Sequence, residues 1–138
     1  MSQRAINTIL ETRLNNWALS QSPNVRIAWP NVTFTPQPGE TYIRVHELPN
    51  ETKSQDLAGS HRLYQGIFQM TIVRPAGVGA GPVHDMVASL AAQFPLNARY
   101  TSGSVTVQIL TPLSTGPAMQ ADNYYEVPAW FSYRCDTI

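Results

Sequence analysis

The run RLYQGIFQMTIV, residues 62–73, alternates its side chains so regularly that it specifies an extended strand. Tyr64, Phe68, Met70 and Ile72 share one face with Gly66, while Gln65, Ile67, Gln69 and Thr71 share the other. It is the longest strand candidate in the chain. A strand with one apolar face needs strand neighbours and a layer of helix or sheet over that face.

The adjoining stretch, TIVRPAGVGAGPVHDMVASLAAQF (71–94), has the outline of a phosphate cradle: strand, glycine-rich turn, helix. The chemistry does not fill the outline. A dinucleotide fingerprint needs G-x-G-x-x-G, and after Gly77 and Gly79 the third position holds Pro82, with Gly81 one residue early. A P-loop needs Lys-Ser/Thr at the helix start, and the chain's single lysine is Lys53, far upstream. A helix start can hold an anion, but Asp85, read as lying in the first turn, would repel one and complement the helix dipole instead. The glycines therefore turn a corner, with Pro82 pre-set for the first helical turn.

Two helices are expected. In residues 3–19, Ile6, Ile9, Leu10, Leu14, Trp17 and Ala18 form one apolar stripe, with Arg4, Asn7, Glu11 and Asn15 opposite. In residues 83–94, Val83, Met86, Val87, Leu90, Ala91 and Phe94 do the same, and Pro95 ends the run. Strands are expected at VRIAWPNVTF, where Val25, Ile27 and Trp29 alternate until Pro30, and at TYIRVHEL, where Ile43 and Val45 oppose Tyr42, Arg44 and His46. Two closing strands are expected at SVTVQIL and YYEVPAWFSYR. In the last, Tyr125, Val127, Ala129, Phe131 and Tyr133 share a face, and Pro128 argues for an edge strand or a bulge. The order α-β-β-β-α-β-β gives an α+β fold: a mainly antiparallel sheet with two helices packed on one face. With 138 residues, one domain spanning 1–138 is expected.

No reactive constellation emerges. His46, His61 and His84 lack metal-ligand spacing. Cys135 reads as lying two residues past a strand, a small hydrophobe rather than a nucleophile. Ser60-His61 has no G-x-S-x-G elbow. Glu47, Glu51 and Asp56 read as carboxylates gathered around the polar loop PNETKSQDLAGSH (49–61) without a cleft to act in. No catalytic residue, cofactor or metal site is assigned, and the chain is not read as an enzyme. Trp130 stands apart: alternation sets it on the face away from the helices, where a tryptophan suits an interface.

Charge bounds the partners. Nine basic and nine acidic residues cancel, so no electrostatic footprint for nucleic acid or anionic lipid is present. Charged residues make up 13% of the chain, against about a quarter in an ordinary soluble domain, which fits a surface buried by assembly. One cysteine gives no internal disulfide, and no apolar run reaches the roughly 20 residues of a membrane span. The charged, amphipathic N-terminus has no signal-peptide core, so synthesis in a cytoplasm is expected.

The layout resembles the tail terminator proteins of long-tailed bacteriophages. The N-terminal amphipathic helix carries the resemblance, together with IAWPNVTFTPQPGETYIRV, HRLYQGIFQMTIVRPAGVGAG, and the short helix with two closing strands. The resemblance implies a virion structural protein, assembled in the host bacterial cytoplasm and placed at the head-proximal end of the tail. There a homo-oligomeric ring, a hexamer, caps the tail tube, ends its polymerisation and offers the head–tail joining surface. Its implied partners are itself, the tail tube protein and the head-side connector protein, with DNA passing through the lumen without specific binding and no membrane. Lys53, Gln55, Asp56 and Arg62 around the long loop, with Trp130, are the expected subunit or tube contacts. Another head–tail connector or tail-completion protein fits the same pattern. A small hydrolase or ligand-binding domain using the 77–85 turn is the reading from another class.

Overall fold

The structure is a computed structural model and describes residues 3–21, 24–77, 79, 81–120 and 123–137. Its elements in chain order are α1 (Gln3–Ser20), β1 (Arg26–Ala28), β2 (Tyr42–Pro49), β3 (Arg62–Pro75), α2 (Gly81–Gln93), β4 (Arg99–Ser102), β5 (Val105–Ile109), β6 (Ser114–Thr115), β7 (Met119–Gln120) and β8 (Tyr124–Thr137). The sheet runs β1-β2-β3-β8-β5-β4, with β6 and β7 also pairing β8. The α+β fold with two helices is as the sequence predicts. Three short strands, β4, β6 and β7, are additional.

Every pairing is antiparallel except β1 with β2, which is parallel. Trp29-Pro30 ends β1 after three residues, and the chain crosses back through 29–41 before β2 starts. That connection is long enough for a crossover, and the two strands run the same way. The crossover folds onto the sheet at Tyr42, whose ring meets Phe34 at 4.9 Å between centroids. Arg26 covers Phe34 at 4.5 Å and pairs with Glu40 at 2.8 Å.

β3 and β8 are the spine. Their register is unbroken from Arg62↔Thr137 to Pro75↔Tyr124. The predicted apolar faces meet: Phe68 lies opposite Phe131, Met70 opposite Ala129, and Ile72 opposite Val127, all buried. Phe94, just past the end of α2, stacks on Phe131 at 4.9 Å and approaches Phe68 at 6.3 Å. Each such aromatic pair adds about 0.5–1.5 kcal/mol beyond area burial. From α1, Ile6, Leu10, Leu14 and Trp17 close the same core.

The helices are locked together at one corner. Arg13 Nε donates to the Gln93 carbonyl at 2.7 Å, capping the negative end of α2. The same guanidinium lies 4.1 Å from the Tyr100 ring centroid, and Trp17 Nε1 donates to Ser89 Oγ at 2.8 Å.

Three local expectations are corrected. Pro128 lies within a strand paired on both sides, not at an edge, and β8 itself has no bulge against β3. The irregularity sits in the facing segment, where 116–118 oppose only Val127 and Pro128 between β6 and β7. The Pro128 carbonyl accepts from Gly116 N–H at 3.0 Å, so its missing donor faces this lapse in pairing and costs no ladder bond. Helix α2 starts at Gly81, so Asp85 lies beyond the first turn, which contains no acidic residue. Cys135 lies inside β8, buried, with burial pushing its thiol up. At the corner itself, Gly77 and Gly79 take φ of 93° and 78°, which side-chain-bearing residues avoid.

Candidate functional site

The polar loop after β2 is built around its own side chains. Its base is zipped to the start of β3, with Lys53 N–H donating to Leu63 O at 3.0 Å and Leu63 N–H donating to Lys53 O at 2.7 Å. Asp56 organises the tip. It accepts from Ser60 Oγ at 2.8 Å and from His61 N–H at 3.2 Å, and these bonds, Ser60's first, hold its carboxyl below the usual range.

His61 ties the loop to the sheet. Its Nδ1 accepts from Gln55 N–H at 3.1 Å, which leaves Nε2 to carry the proton and donate to Asp136 Oδ1 at 2.9 Å. Asp136 is in turn held by Arg134 through Nε and Nη2, both at 2.9 Å. The Arg134 fork first, and His61 after it, keep the Asp136 carboxyl low.

The expected contact residues therefore divide. Arg62 turns back onto the carbonyls of Gly59 and His61, and Asp56 accepts from Ser60 and His61, so both hold the loop's shape while staying exposed. Lys53 and Gln55 are exposed and remain available for contact. Trp130 is elsewhere, opposite Gln69, seven residues along β3 from Arg62 and so about 23 Å away. It lies on the open face as expected, half-buried, with Gly116 so close that a β-carbon there would meet the indole at 2.9 Å. The loop and Trp130 are not one site. Leu57, which the sequence pattern did not single out, stands at the loop tip at 109% exposure. The signal was present: it is the lone large aliphatic in the chain's most polar segment.

The open face of the sheet is neutral and polar. Gln65, Gln69, Gln108, Thr106 and Ser132 alternate with buried core residues. Two of its arginines are matched, Arg44 to Glu126 at 3.1 Å and Arg134 to Asp136, while Arg99 stands opposite Gln108. His46 is exposed there and His84 is exposed on α2.

Glu47 corrects the expected acidic gathering. It points to the helix face, away from Glu51 and Asp56, and lies beside Glu11 of α1. Burial first, and Glu11 second, push its carboxyl up to about 7. Its Oε2 is buried without a donor, so the pair is satisfied only while a proton sits between the two carboxyls. Nearby Tyr133 Oη accepts from Gln3 Nε2 at 2.7 Å.

A groove of about 690 Å³ runs beside β2, lined by Trp29, Pro30, Val32, His46 and Leu48 among others. Among the described residues, no group of three His, Cys, Asp or Glu is placed to hold a metal, and no helix is long and apolar enough to cross a membrane.

The family model described as "Phage tail terminator protein" matches residues 5–133. One solved structure is similar to this chain at 37% identity with a TM-score of 0.85, covering 100% of this chain and 98% of that one. No curated protein matches.

Proposed function

This chain belongs to the phage tail terminator protein family, and from that premise we propose that it forms a ring that caps the tail tube, stops its polymerisation and presents the head–tail joining surface. Membership makes it a structural component of the phage tail. The ring is a homo-oligomer, a hexamer, at the head-proximal end, assembled in the host cytoplasm. Its neighbours are the tail tube protein on one side and the head-side connector on the other.

The observation that carries this reading is the family match over nearly the whole chain. The architecture supports it. The loop presents Leu57 at its tip and keeps Gln55 and Lys53 exposed on its braced base, as a contact with a neighbouring ring requires. The ion-paired state of Arg44 and Arg134 suits a lumen that passes DNA without gripping it.

The test is solution mass by light scattering over a concentration series, with electron microscopy of any large species, and then mixing with tail tube protein. A ring of about six subunits that halts tube growth is expected, forming more completely as concentration rises. Unlimited tube growth in the presence of the ring would refute the capping role.

A further inference from the structure

We propose that neighbouring copies of this chain join edge to edge, with β4 of one copy seated beside the open half of β2 in the next. The inference rests on the ring reading above and specifies the contact that closes it.

The sheet is unfinished at both ends. On one side β1 pairs Tyr42, Ile43 and Arg44, and among the described residues no strand lies outside Val45–Pro49. Asn50 N–H donates to Gln65 O at 2.8 Å, so the even-numbered residues of β2 turn their backbone groups toward β3. Glu47 therefore aims its backbone N–H and C=O outward. Beyond Ala28 the chain leaves the sheet in a turn, with Asn31 at φ 56° and Val32 N–H bonded to Trp29 O at 3.3 Å. The groove of about 690 Å³ beside β2 is the space vacated. Pro49 offers no donor and closes the far end, so the slot admits a short strand facing 45–48.

At the other end β4, Arg99–Ser102, is the terminal strand and has a partner on one side only. Its four residues match the slot. Exposed aliphatics flank both edges: Val32 and Leu48 at the slot, and Leu96 just before β4.

Charge selects the second copy as the occupant. Around the open half of β2 stand Glu51 and the proton-sharing Glu11–Glu47 pair, with Lys53 and with Arg44, whose charge is matched by Glu126. Around β4 stand Arg99 and Arg13, the latter over Tyr100, with the Arg134–Asp136 pair beside Arg99 matched within itself. Among the described residues Arg99 has no carboxylate partner and Glu51 no cation. A chain of zero net charge thus carries opposite signs at the two ends of one sheet. That favours a head-to-tail contact, the kind that closes into rings. A strand added at the slot gives Glu47 the backbone partners it lacks.

The test uses two charge reversals at exposed positions, Arg99→Glu and Glu51→Arg, in the full chain, with circular dichroism confirming an unchanged fold. Each alone weakens self-association by about tenfold or more at low salt. Mixing the two variants restores it, because each reversed end then meets an end of opposite sign. In the assembled wild type, amide exchange slows at 45–48 and 99–102 relative to the dilute chain. A ring that forms equally well with either reversal, or a mixture no better than its components, overturns the edge contact while leaving the ring standing. A wild-type chain that never associates removes the ring itself, and the contact with it.

Discussion

Gly66 stands directly opposite Tyr133 in the β3–β8 register, and the tyrosine occupies the place of the missing side chain. A β-carbon on residue 66 would come within 2.5 Å of Tyr133 Oη and 2.9 Å of the Leu48 carbonyl. The glycine gives up strand propensity so that the aromatic ring can lie across the sheet and reach Gln3 of α1. Gly66→Ala should therefore destabilise the fold by about 1–3 kcal/mol through overpacking. Chemical denaturation of the variant checks this, and an unchanged midpoint would mean that Tyr133 has room to retreat.

The Glu47–Glu11 pair makes stability depend on pH. The folded chain raises the Glu47 carboxyl from 4.5 to about 7, so the fold binds this proton more tightly than the unfolded chain does. The contribution is full below about 4.5 and is lost as pH rises to about 7, beyond which it is flat. Solvent screening of a half-buried group limits the loss to about 1–2 kcal/mol. Glu47→Gln should erase this slope and melt above the wild type at pH 8. Parallel thermal melts at pH 5 and pH 8 decide it: equal slopes for the two proteins would rule the pair out as the source.

Phe94 is the link between α2 and the spine, stacked on Phe131 and fully buried. Phe94→Ala should cost about 3–5 kcal/mol. The loss should appear as a lowered denaturant midpoint with loosening of α2 before β3 and β8. Amide exchange that rises uniformly across the chain would argue against that order.

Loop residues 54–60 fold on themselves, and Leu57 makes no use of its side chain within the subunit. Leu57→Ser should leave stability within about 0.5 kcal/mol and weaken ring assembly or tube capping. Shortening the loop across 50–60 should do the same more strongly. Assembly and capping at wild-type levels in both variants would take the loop out of the interface.

Much of this fold was legible because period and burial coincide. The stripes of α1 and α2 and the alternation of β3, β5 and β8 place nearly every core residue. The three strands beyond the sequence expectation are short: β6 and β7 have two residues each and pair β8, and β4 has four and pairs β5, so none is long enough to show a clear alternation. Glu47 shows the other limit. Its charge suggested the wet loop beside it, and only the packed helix reveals Glu11 as its neighbour. For the candidate site, polarity and length marked the loop correctly. They could not show that Asp56 and Arg62 also hold its shape, because those bonds close only once the chain turns back at Gly59.

The lapse opposite Pro128 has a mechanical meaning. β8 is joined to β3 like a closed seam, but to residues 105–120 through three short stitches with slack between them. Local opening is expected to begin at those short pairings rather than along the β3–β8 seam. The strain is absorbed at the margin, and the cloth that holds the aromatic stack stays flat.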